Sequence, residues 1–448
     1  MRKNLEDALR AVALAVRDAG GRALLVGGAV RDMAAGEKVH DLDVEVFGLE
    51  ADKLLDVASG LGSVDVCGRA FAVVKVTVEV DGEKVQVDLS LPRVESKSGQ
   101  GHRDFTVDGR PELSVEQAAS RRDFTINSMG WDVLTGELLD PFGGREDLAR
   151  GTLRATSEKF GEDPLRVLRG MQFASRFNLR MDRETAKTCR DLVFEFDTLS
   201  TDRVREEWLK WAKGKTPSAG LKVLLETSWL AHSPELCLTL CCRQDPERHP
   251  EGTVWEHTLE VVDKAAESGG DAVIFAALLH DVNKSHTTEV GSDGRLHSFG
   301  HAQKSAELAR VFMERLEMPK KLTEKVVKLV GAHMWHLNGV NKNAARRWSR
   351  KIAPATMGEL VSVVEADCLG RGSKSGLPWQ VIELRRAVED AGVVDEEEKP
   401  LLLGRHLLAL GMTEGREVGV VLKEALEEQL DAGWSTLADA LEWARSRV

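Results

Sequence analysis

No stretch of this chain is apolar for long enough to cross a bilayer. The longest uninterrupted run, Ala272 to Leu279, falls far short of the roughly twenty residues a membrane helix needs. No charged-then-apolar leader is read at the start, so the expectation is a cytoplasmic protein with no membrane partner. Six cysteines are present, at positions 67, 189, 237, 241, 242 and 368, and none forms a CxxC pair. That argues against a zinc or disulfide framework; Cys237, Cys241 and Cys242 lie in an apolar run and are expected to be buried, reduced thiols. Tyrosine is missing beside ten tryptophans, which excludes nothing by itself. Positive charge is also short. Lys and Arg number 61 against 73 Asp and Glu, a net charge of −12, which argues against a protein that coats nucleic acid non-specifically. Segregated charge still allows an RNA enzyme. Basic clusters occur at Arg121-Arg122, Arg166/Arg169, Arg203/Arg205 and Arg346-Arg347 with Arg350-Lys351, while acid concentrates elsewhere, as from Asp395 to Glu398.

What is present is ordinary for a globular protein: 448 residues, 42% hydrophobic and 30% charged, without repeats or low-complexity tracts. That length allows two to four domains. Over the first 150 residues helix and strand signals alternate. Leu5, Leu9, Val12 and Val16 recur at helical spacing until Gly20-Gly21 stops the helix. Strands read at Ala23 to Val26, Leu42 to Val46, Phe71 to Val80 and Lys84 to Leu91, the last two joined by the hairpin pair Asp81-Gly82. The pattern predicts an α/β head with a mixed sheet. From about residue 151 strand signals nearly vanish and helical patterns run to the end.

Chemistry concentrates first in the head. Leu42, Val44 and Val46 alternate with Asp41, Asp43 and Glu45, which on a strand puts apolar and acidic side chains on opposite faces. Carboxylates two residues apart on one strand repel unless a cation sits between them. Val85, Val87 and Leu89 alternate likewise with Gln86, Asp88 and Ser90, offering a third carboxylate in Asp88. Asp41, Asp43 and Asp88 together suit Mg²⁺, which favours carboxylates plus substrate phosphates; two such ions can activate a hydroxyl and stabilise departing pyrophosphate. Upstream, Gly27-Gly28 precedes Ala29-Val30-Arg31-Asp32 at a strand-to-helix junction. There backbone N–H groups at Gly28 can approach a phosphate, with Arg31 adding a cation. Further on, Asp163 and Arg166 are expected one helical turn apart on a shared face. An acceptor beside a donor can mimic the pairing edge of a base, and Arg169 can reach a triphosphate.

These segments resemble one family in order and spacing. LLVGGAVRD (Leu24 to Asp32) followed by HDLDVEVFG (His40 to Gly48) is similar to the signature of class II tRNA nucleotidyltransferases and bacterial poly(A) polymerases, of the DNA polymerase β-like superfamily. RRDFTINSM (Arg121 to Met129) resembles the family's ribose-contacting motif, which implies nucleotide contacts from Arg122, Asp123 and Asn127. DPFGGREDL (Asp140 to Leu148) is similar to its hinge. EDPLRVLR (Glu162 to Arg169) resembles the base-selecting motif, and DRVREEW (Asp202 to Trp208) the helix that braces it. The resemblance implies that Asp163 and Arg166 read CTP and then ATP without a nucleic-acid template. Gln172 stands where many relatives carry arginine. The polar stretch Glu95 to Gly101 reads as too Gly/Ser-rich to form an element. It resembles the family's flexible loop, which implies full CCA addition.

A second site is read downstream. A helical pattern starts at Trp255-Glu256-His257-Thr258, and the apolar helix Val273 to Leu279 delivers His280-Asp281, with Lys284 close behind. His301, His333 and finally Asp367 follow. A His, a His-Asp pair and a distant Asp supply mixed nitrogen and oxygen ligands for a divalent metal, whose bound hydroxide could attack phosphorus. LLHDVNK resembles the HD phosphohydrolase signature, with Val282-Asn283 where relatives often have Leu-Gly, and implies His257, His280, Asp281 and Asp367 as ligands of an unidentified divalent metal. HPEGTVWEHT (His249 to Thr258) is similar to the segment that opens this domain in HD-bearing nucleotidyltransferases. Those HD domains act on 2′,3′-cyclic phosphates or monophosphates, which implies 3′-end cleaning.

The fold expected is α+β: a polymerase β-like nucleotidyltransferase head with a mixed sheet, then an all-α neck and body and an α-helical HD domain. Residues 1–150 would form the head, 151–240 the neck and body, 241–380 the HD domain and 381–448 a helical tail. The tail could pack on the body or grip tRNA. The function expected is addition of CCA, from CTP and ATP, to tRNA 3′ ends, with no protein partner. A partial A-adding or CC-adding enzyme and a poly(A) polymerase are the neighbouring readings. An active HD hydrolase behind a non-catalytic RNA-binding head is the reading from another class.

Overall fold

The computed structural model describes residues 2–67, 73–97, 105–267, 269–372, 376–434 and 436–448. The chain forms two compact units, Met1–Gly214 with Ala219–His232, and Lys215–Ser218 with Ser233–Val448. Among the described residues no helix is long and apolar enough to cross a membrane.

The first unit opens with α1 (Lys3–Asp18), whose Leu5, Leu9, Val12 and Val16 are buried. Gly20 takes φ +92°, which lets its own N–H and that of Gly21 reach back to the carbonyls of Arg17 and Val16 and end the helix. There follow β1 (Arg22–Val26), α2 (Gly28–Ala34), β2 (Asp43–Phe47), α3 (Ala51–Leu61), β3 (Gly62–Cys67), β4 (Val73–Val80), β5 (Glu83–Ser90), β6 (Arg93–Lys97), β7 (Phe105–Gly109), α4 (Val115–Ala119), β8 (Gly130–Asp132), β9 (Leu138–Leu139) and α5 (Gly144–Ala149). Seven strands make one sheet in the order β3-β4-β5-β2-β1-β8-β9. Only β2 and β5 pair in parallel, so the sheet is mixed, as the sequence pattern predicts. Leu9 and Val12 of α1, Leu54 and Ala58 of α3, and the inward Val44, Val76 and Val87 share its core. Asp81 and Gly82 both take positive φ, +50° and +81°, the twisted two-residue turn that such a pair favours.

Helices then dominate: α6 (Leu165–Phe177), α7 (Arg183–Asp191), α8 (Thr201–Trp211) and α9 (Pro217–Glu226). Between them β10 (Thr152–Leu153) and β11 (Arg180–Met181) pair in parallel over two residues each.

The second unit comprises α10 (Pro234–Cys237), α11 (Val254–Ala266), α12 (Asp271–Leu279), α13 (Lys284–Thr287), β12 (Thr288–Val290), β13 (Leu296–Ser298), α14 (His301–Arg315), α15 (Lys320–Ala332), α16 (Lys342–Ile352), α17 (Met357–Leu369), α18 (Trp379–Ala391), α19 (Gly404–Ala409), α20 (Arg416–Ala432) and α21 (Leu437–Arg445). Ala272 to Leu279 of α12 are all buried, the state of a helix that is apolar on every side.

Four expectations need correction. Glu95 to Lys97 are not loop but the end of β6, paired with β7 from Arg93↔Gly109 to Lys97↔Phe105; the ladder overrides local composition. The remainder of that polar stretch, residues 98–101, lies outside the described residues. The helical half also contains the antiparallel hairpin β12–β13, which three-residue strands hardly signal. Cys241 is exposed and Cys237 and Cys242 are only half-buried, whereas Cys189 and Cys368 are buried. Within the run around residue 240 Leu236 is core, but the three cysteines are not. Last, the basic cluster of α16 is not an open cationic surface. Arg346 is buried and lies 3.6 Å from Glu398, Arg350 donates to the Glu398 carbonyl at 2.7 Å, and Arg347 pairs with Asp431. The acidic segment and the C-terminal helices cover it, so the tail packs on its own unit.

Candidate functional site

In the head, Asp43 and Asp88 are partners across the only parallel pair of the sheet, β2 and β5. Asp41 lies just before the ladder. Asp43 is exposed by surface area, yet protein crowds its base, and desolvation followed by the neighbouring Asp88 pushes its carboxyl up. Lys75 offsets part of this repulsion, 3.0 Å from Asp88. The three carboxylates do not form a close group: among the described residues, the groups whose ligand atoms all lie within 4.8 Å of one another are in the second unit.

Glu45, the third acid of the β2 alternation, has a different task. It is 2% exposed and accepts from Arg121 at 2.9 Å and Arg122 at 3.3 Å. Arg122 also donates to the Asn127 carbonyl, and its guanidinium fills the space beside Gly27, where a Cβ would sit 2.8 Å from it. Gly27 has φ +69°, so the first glycine of the turn is required by conformation as well as by space. Glu45→Ala is expected to strand two half-sequestered guanidinium groups and destabilise this unit by about 3–5 kcal/mol. Calorimetry should show its melting temperature falling by roughly 10 °C.

The remaining residues expected to contact a nucleotide form a connected network. Arg31 does not project to solvent as a free cation: it is 4% exposed, donates to Asp32 and, at 2.7 Å, to Asn127 Oδ1, and lies over the rings of Phe173 and Phe177. Asn127 donates in turn to Asp123 at 2.8 Å, which also accepts from Arg169 at 2.6 Å. Burial pushes the Asp123 carboxyl up, but Arg169 and Asn127 outweigh it and leave it below the usual range. Asp163 and Arg166 do not share a helix face as expected. Asp163 is extended, φ −130°, and precedes α6; its side chain accepts from Leu165 N–H and from Arg203 of α8 at 2.7 Å. Pro164 explains this, because the residue before a proline is pushed out of the helical region. Arg166 donates to the carbonyls of Lys159 and Arg121, which ties α6 to the motif at Arg121. Gln172, on the same helix, is buried.

The second site is tighter. His257 comes from α11 and Asp367 from α17, both helices fixed at their starts by capping boxes, Thr253 with Glu256 and Thr356 with Glu359. His280 and His333 are the C-terminal caps of α12 and α15, and His301 opens α14. His280, His301 and His333 each place Nδ1 2.7–2.8 Å from a backbone carbonyl three residues back, of Ala277, Ser298 and Val330. A carbonyl only accepts, so in the neutral rings Nδ1 carries the hydrogen and Nε2 keeps its lone pair. These Nε2 atoms converge. His301 Nε2 lies 3.2 Å from His333 Nε2 and 3.2 Å from Asp281 Oδ1, His280 Nε2 lies 3.2 Å from Asp281 Oδ2, and His257 Nε2 lies 3.1 Å from Asp367 Oδ1.

Two triads result, His257–His280–Asp367 and Asp281–His301–His333, all six residues buried. His280 Nε2 and Asp281 Oδ1 have no hydrogen-bond partner. Buried lone pairs facing each other are what cation ligands present, so the residues fit a divalent metal. Lys284 lies 2.6 Å from Asp281 Oδ2, and Arg371 holds Asp367 at 2.9 Å. Glu251 bridges the Nδ1 atoms of His249 and His257 at 2.9 and 2.7 Å. Asn283 has φ −95°, so asparagine sits where relatives often have glycine without backbone strain.

Protonation follows from these contacts. Burial pushes the Asp281 and Asp367 carboxyls up, but neighbouring His280 and Lys284 for the first, and Arg371 and His257 for the second, hold both well below the usual range. Burial lowers His257 and His301, yet Asp367 and Glu251 for the first, and Asp281 for the second, raise them above it. Burial, then His280, pushes His333 down to about 3, so it stays a neutral ligand. In the metal-free protein the raised pair stabilises the fold below the ordinary imidazole range, and that contribution is lost as pH rises through the raised values. A metal must displace these protons. Its affinity should therefore fall by about tenfold or more per pH unit on acidification through that window, measured by Mn²⁺ titration at pH 8, 7 and 6.

Comparison with known proteins bears on both sites. Residues 23–154 match the family described as Poly A polymerase head domain, residues 178–238 a probable RNA and SrmB-binding site of polymerase A, and residues 254–355 the HD domain. A multifunctional CCA protein of Nitrosococcus oceani is 33% identical over 417 residues, 90% of this chain and 96% of that protein. This chain belongs to the multifunctional CCA protein family. Another member, from Aromatoleum aromaticum, is 36% identical over 361 residues, 80% of this chain and 82% of its own. Among solved structures, the Bacillus stearothermophilus CCA-adding enzyme in complex with CTP is similar with a TM-score of 0.60 at 20% identity, covering 100% of this chain and 98% of that one. The Thermotoga maritima CCA-adding enzyme complexed with tRNA also gives 0.60, at 18% identity, over 100% and 96%. At such identities the likeness is one of fold.

Within this CCA family member, Glu45, Glu251 and Arg371 have site contacts that sequence reading does not supply. Glu45 looks like one more acid of an alternating strand, and only its arginine partners reveal its role. Arg371, four residues after Asp367, could be suspected from spacing alone.

Proposed function

We propose that the protein extends tRNA 3′ ends with CCA, taking CTP and then ATP, in the cytoplasm. The observation that carries this reading is Asp43 facing Asp88 across the parallel strand pair, next to the Gly27-Gly28 turn at the end of β1. Asp41, Asp43 and Asp88 would hold Mg²⁺, which supplies positive charge to a reacting hydroxyl and to departing pyrophosphate. The elevated Asp43 carboxyl supports this, since repelling carboxylates gain from a cation. Backbone N–H groups at the Gly28 turn would take the triphosphate. Asp163, held by Arg203, and Arg166, held by two carbonyls, would present fixed acceptor and donor groups to a base. Rigid placement of such groups favours one base over another, because the wrong edge leaves polar atoms unpaired. Arg31, Arg122, Asp123, Asn127 and Arg169 would act as one network that keeps this edge and the glycine turn in register.

The second site we read as a phosphohydrolase. His257, His280 and Asp367, with Asp281, His301 and His333, would hold one or two divalent cations, which supply Lewis acidity toward a phosphate. Lys284 and Arg371 would pair with its remaining charge. The deciding experiment uses tRNA shortened by three residues, with CTP and ATP. The expected product gains two C and one A in that order. No extension at all, or an unlimited run of A, overturns the reading.

A further inference from the structure

The hydrolase cavity has a feature that binding a bare phosphate does not need. Its volume is about 580 Å³, and its depth is lined by Asp281, Lys284, His301, His333 and Arg371. At its rim stands Phe299, 75% exposed. The ring of His297 stacks beneath Phe299 at 5.3 Å between centroids, only 6° from parallel. His297 is itself pinned, Nε2 to Asp293 at 3.0 Å, and packs so closely on the hairpin turn that a Cβ at Gly291 would fall 2.6 Å from its ring. Phe299 is thus supported on one face and open on the other, at the mouth of a site whose interior is charged.

Singly exposed apolar side chains are ordinary, but this ring stacks on a pinned His297 at the cavity mouth, which leaves its other face for a flat surface to cover. Nucleobases are such surfaces, and stacking on aromatic side chains is how proteins hold unpaired bases without reading their sequence. The charged interior asks for a phosphate; the ring at the mouth asks for a base. We propose that Phe299, backed by His297, is the platform for the base of a nucleoside phosphate, or of the terminal nucleotide of an RNA, while its phosphate enters between Lys284 and Arg371. This rests on the phosphohydrolase reading and adds to it the residue that would favour a base-bearing phosphate over a base-free ester.

The test uses the full chain loaded with Mn²⁺. Hydrolysis of 2′,3′-cyclic AMP and of base-free glycerol 2-phosphate is followed with wild type, Phe299→Ala, Phe299→Leu and Phe299→Trp, and the dissociation constant for AMP is measured by calorimetry. Alanine and leucine should raise KM for the nucleotide and Kd for AMP by about tenfold. Both should leave kcat and glycerol 2-phosphate hydrolysis unchanged, and tryptophan should restore nucleotide affinity. An AMP affinity indifferent to the side chain overturns the platform, as does an equal loss on both esters. A wild type that hydrolyses neither ester removes the phosphohydrolase reading, while the AMP affinities still decide on Phe299.

Discussion

Asp43→Ala is expected to slow nucleotide addition by about 10³-fold or more, the scale of losing a principal electrostatic stabiliser of the transition state. Hydrolysis at the second site should be untouched, because that centre draws every candidate ligand from the second unit. The loss must be separated from misfolding, and the direction of the Asp43 shift allows it. Desolvation and then Asp88 hold this carboxyl above its ordinary value, so its ionised form strains the folded state. That penalty is absent below the unfolded value and develops as pH rises through the folded one. Asp43→Asn removes the charge and keeps the shape. It should match alanine in lost activity yet melt at or slightly above wild type at neutral pH without metal. A lower melting temperature with partial activity would mean that Asp43 serves the fold rather than the reaction.

The second large effect is expected at His280. It closes one triad through Nε2 and, as the cap of α12, has its ring fixed by the Ala277 carbonyl. His280→Ala removes one candidate ligand and takes away the Nε2 that lies 3.2 Å from Asp281 Oδ2. Phosphate ester hydrolysis should fall by about 10³-fold, while CTP and ATP addition continues at the wild-type rate. Joint loss of both activities would contradict two separate centres. Because His280 is completely buried, a structural cost is also expected, and His280→Gln, of closer size, should recover stability without recovering hydrolysis.

How much of this could be read beforehand depends on where the information sits in the chain. The mixed sheet, the Asp81-Gly82 turn, the helix ending at Gly20 and the apolar helix before His280 follow from local pattern, because period and turn chemistry are local properties. The residues of the two buried triads are ones that residue type and the HD resemblance single out as candidates. Pairings across long separations are different. Glu45 meets arginines 76 and 77 positions away, and His297 and Phe299 acquire meaning only through the cavity they border. Asp163 is instructive in another way: its neighbour Pro164 was enough to place it outside the helix, and the i,i+3 spacing to Arg166 obscured that signal.

The His257–Asp367 contact spans 110 positions, and this separation bears on how the protein is made. At about 5–20 residues per second, a ribosome takes roughly 5–20 s to travel from one to the other. From His333 onward the chain carries five of the six candidate ligands and α12 with its apolar faces, but not yet a complete α17. The HD-matching segment ends at residue 355, before the last carboxylate and its Arg371 partner have been synthesised. Metal capture in the His257–His280–Asp367 triad therefore has to follow synthesis of α17. At the His257–His280–Asp367 triad the cation is thus a late clasp, set after the hydrophobic surfaces of α11, α12 and α15 are already in the chain.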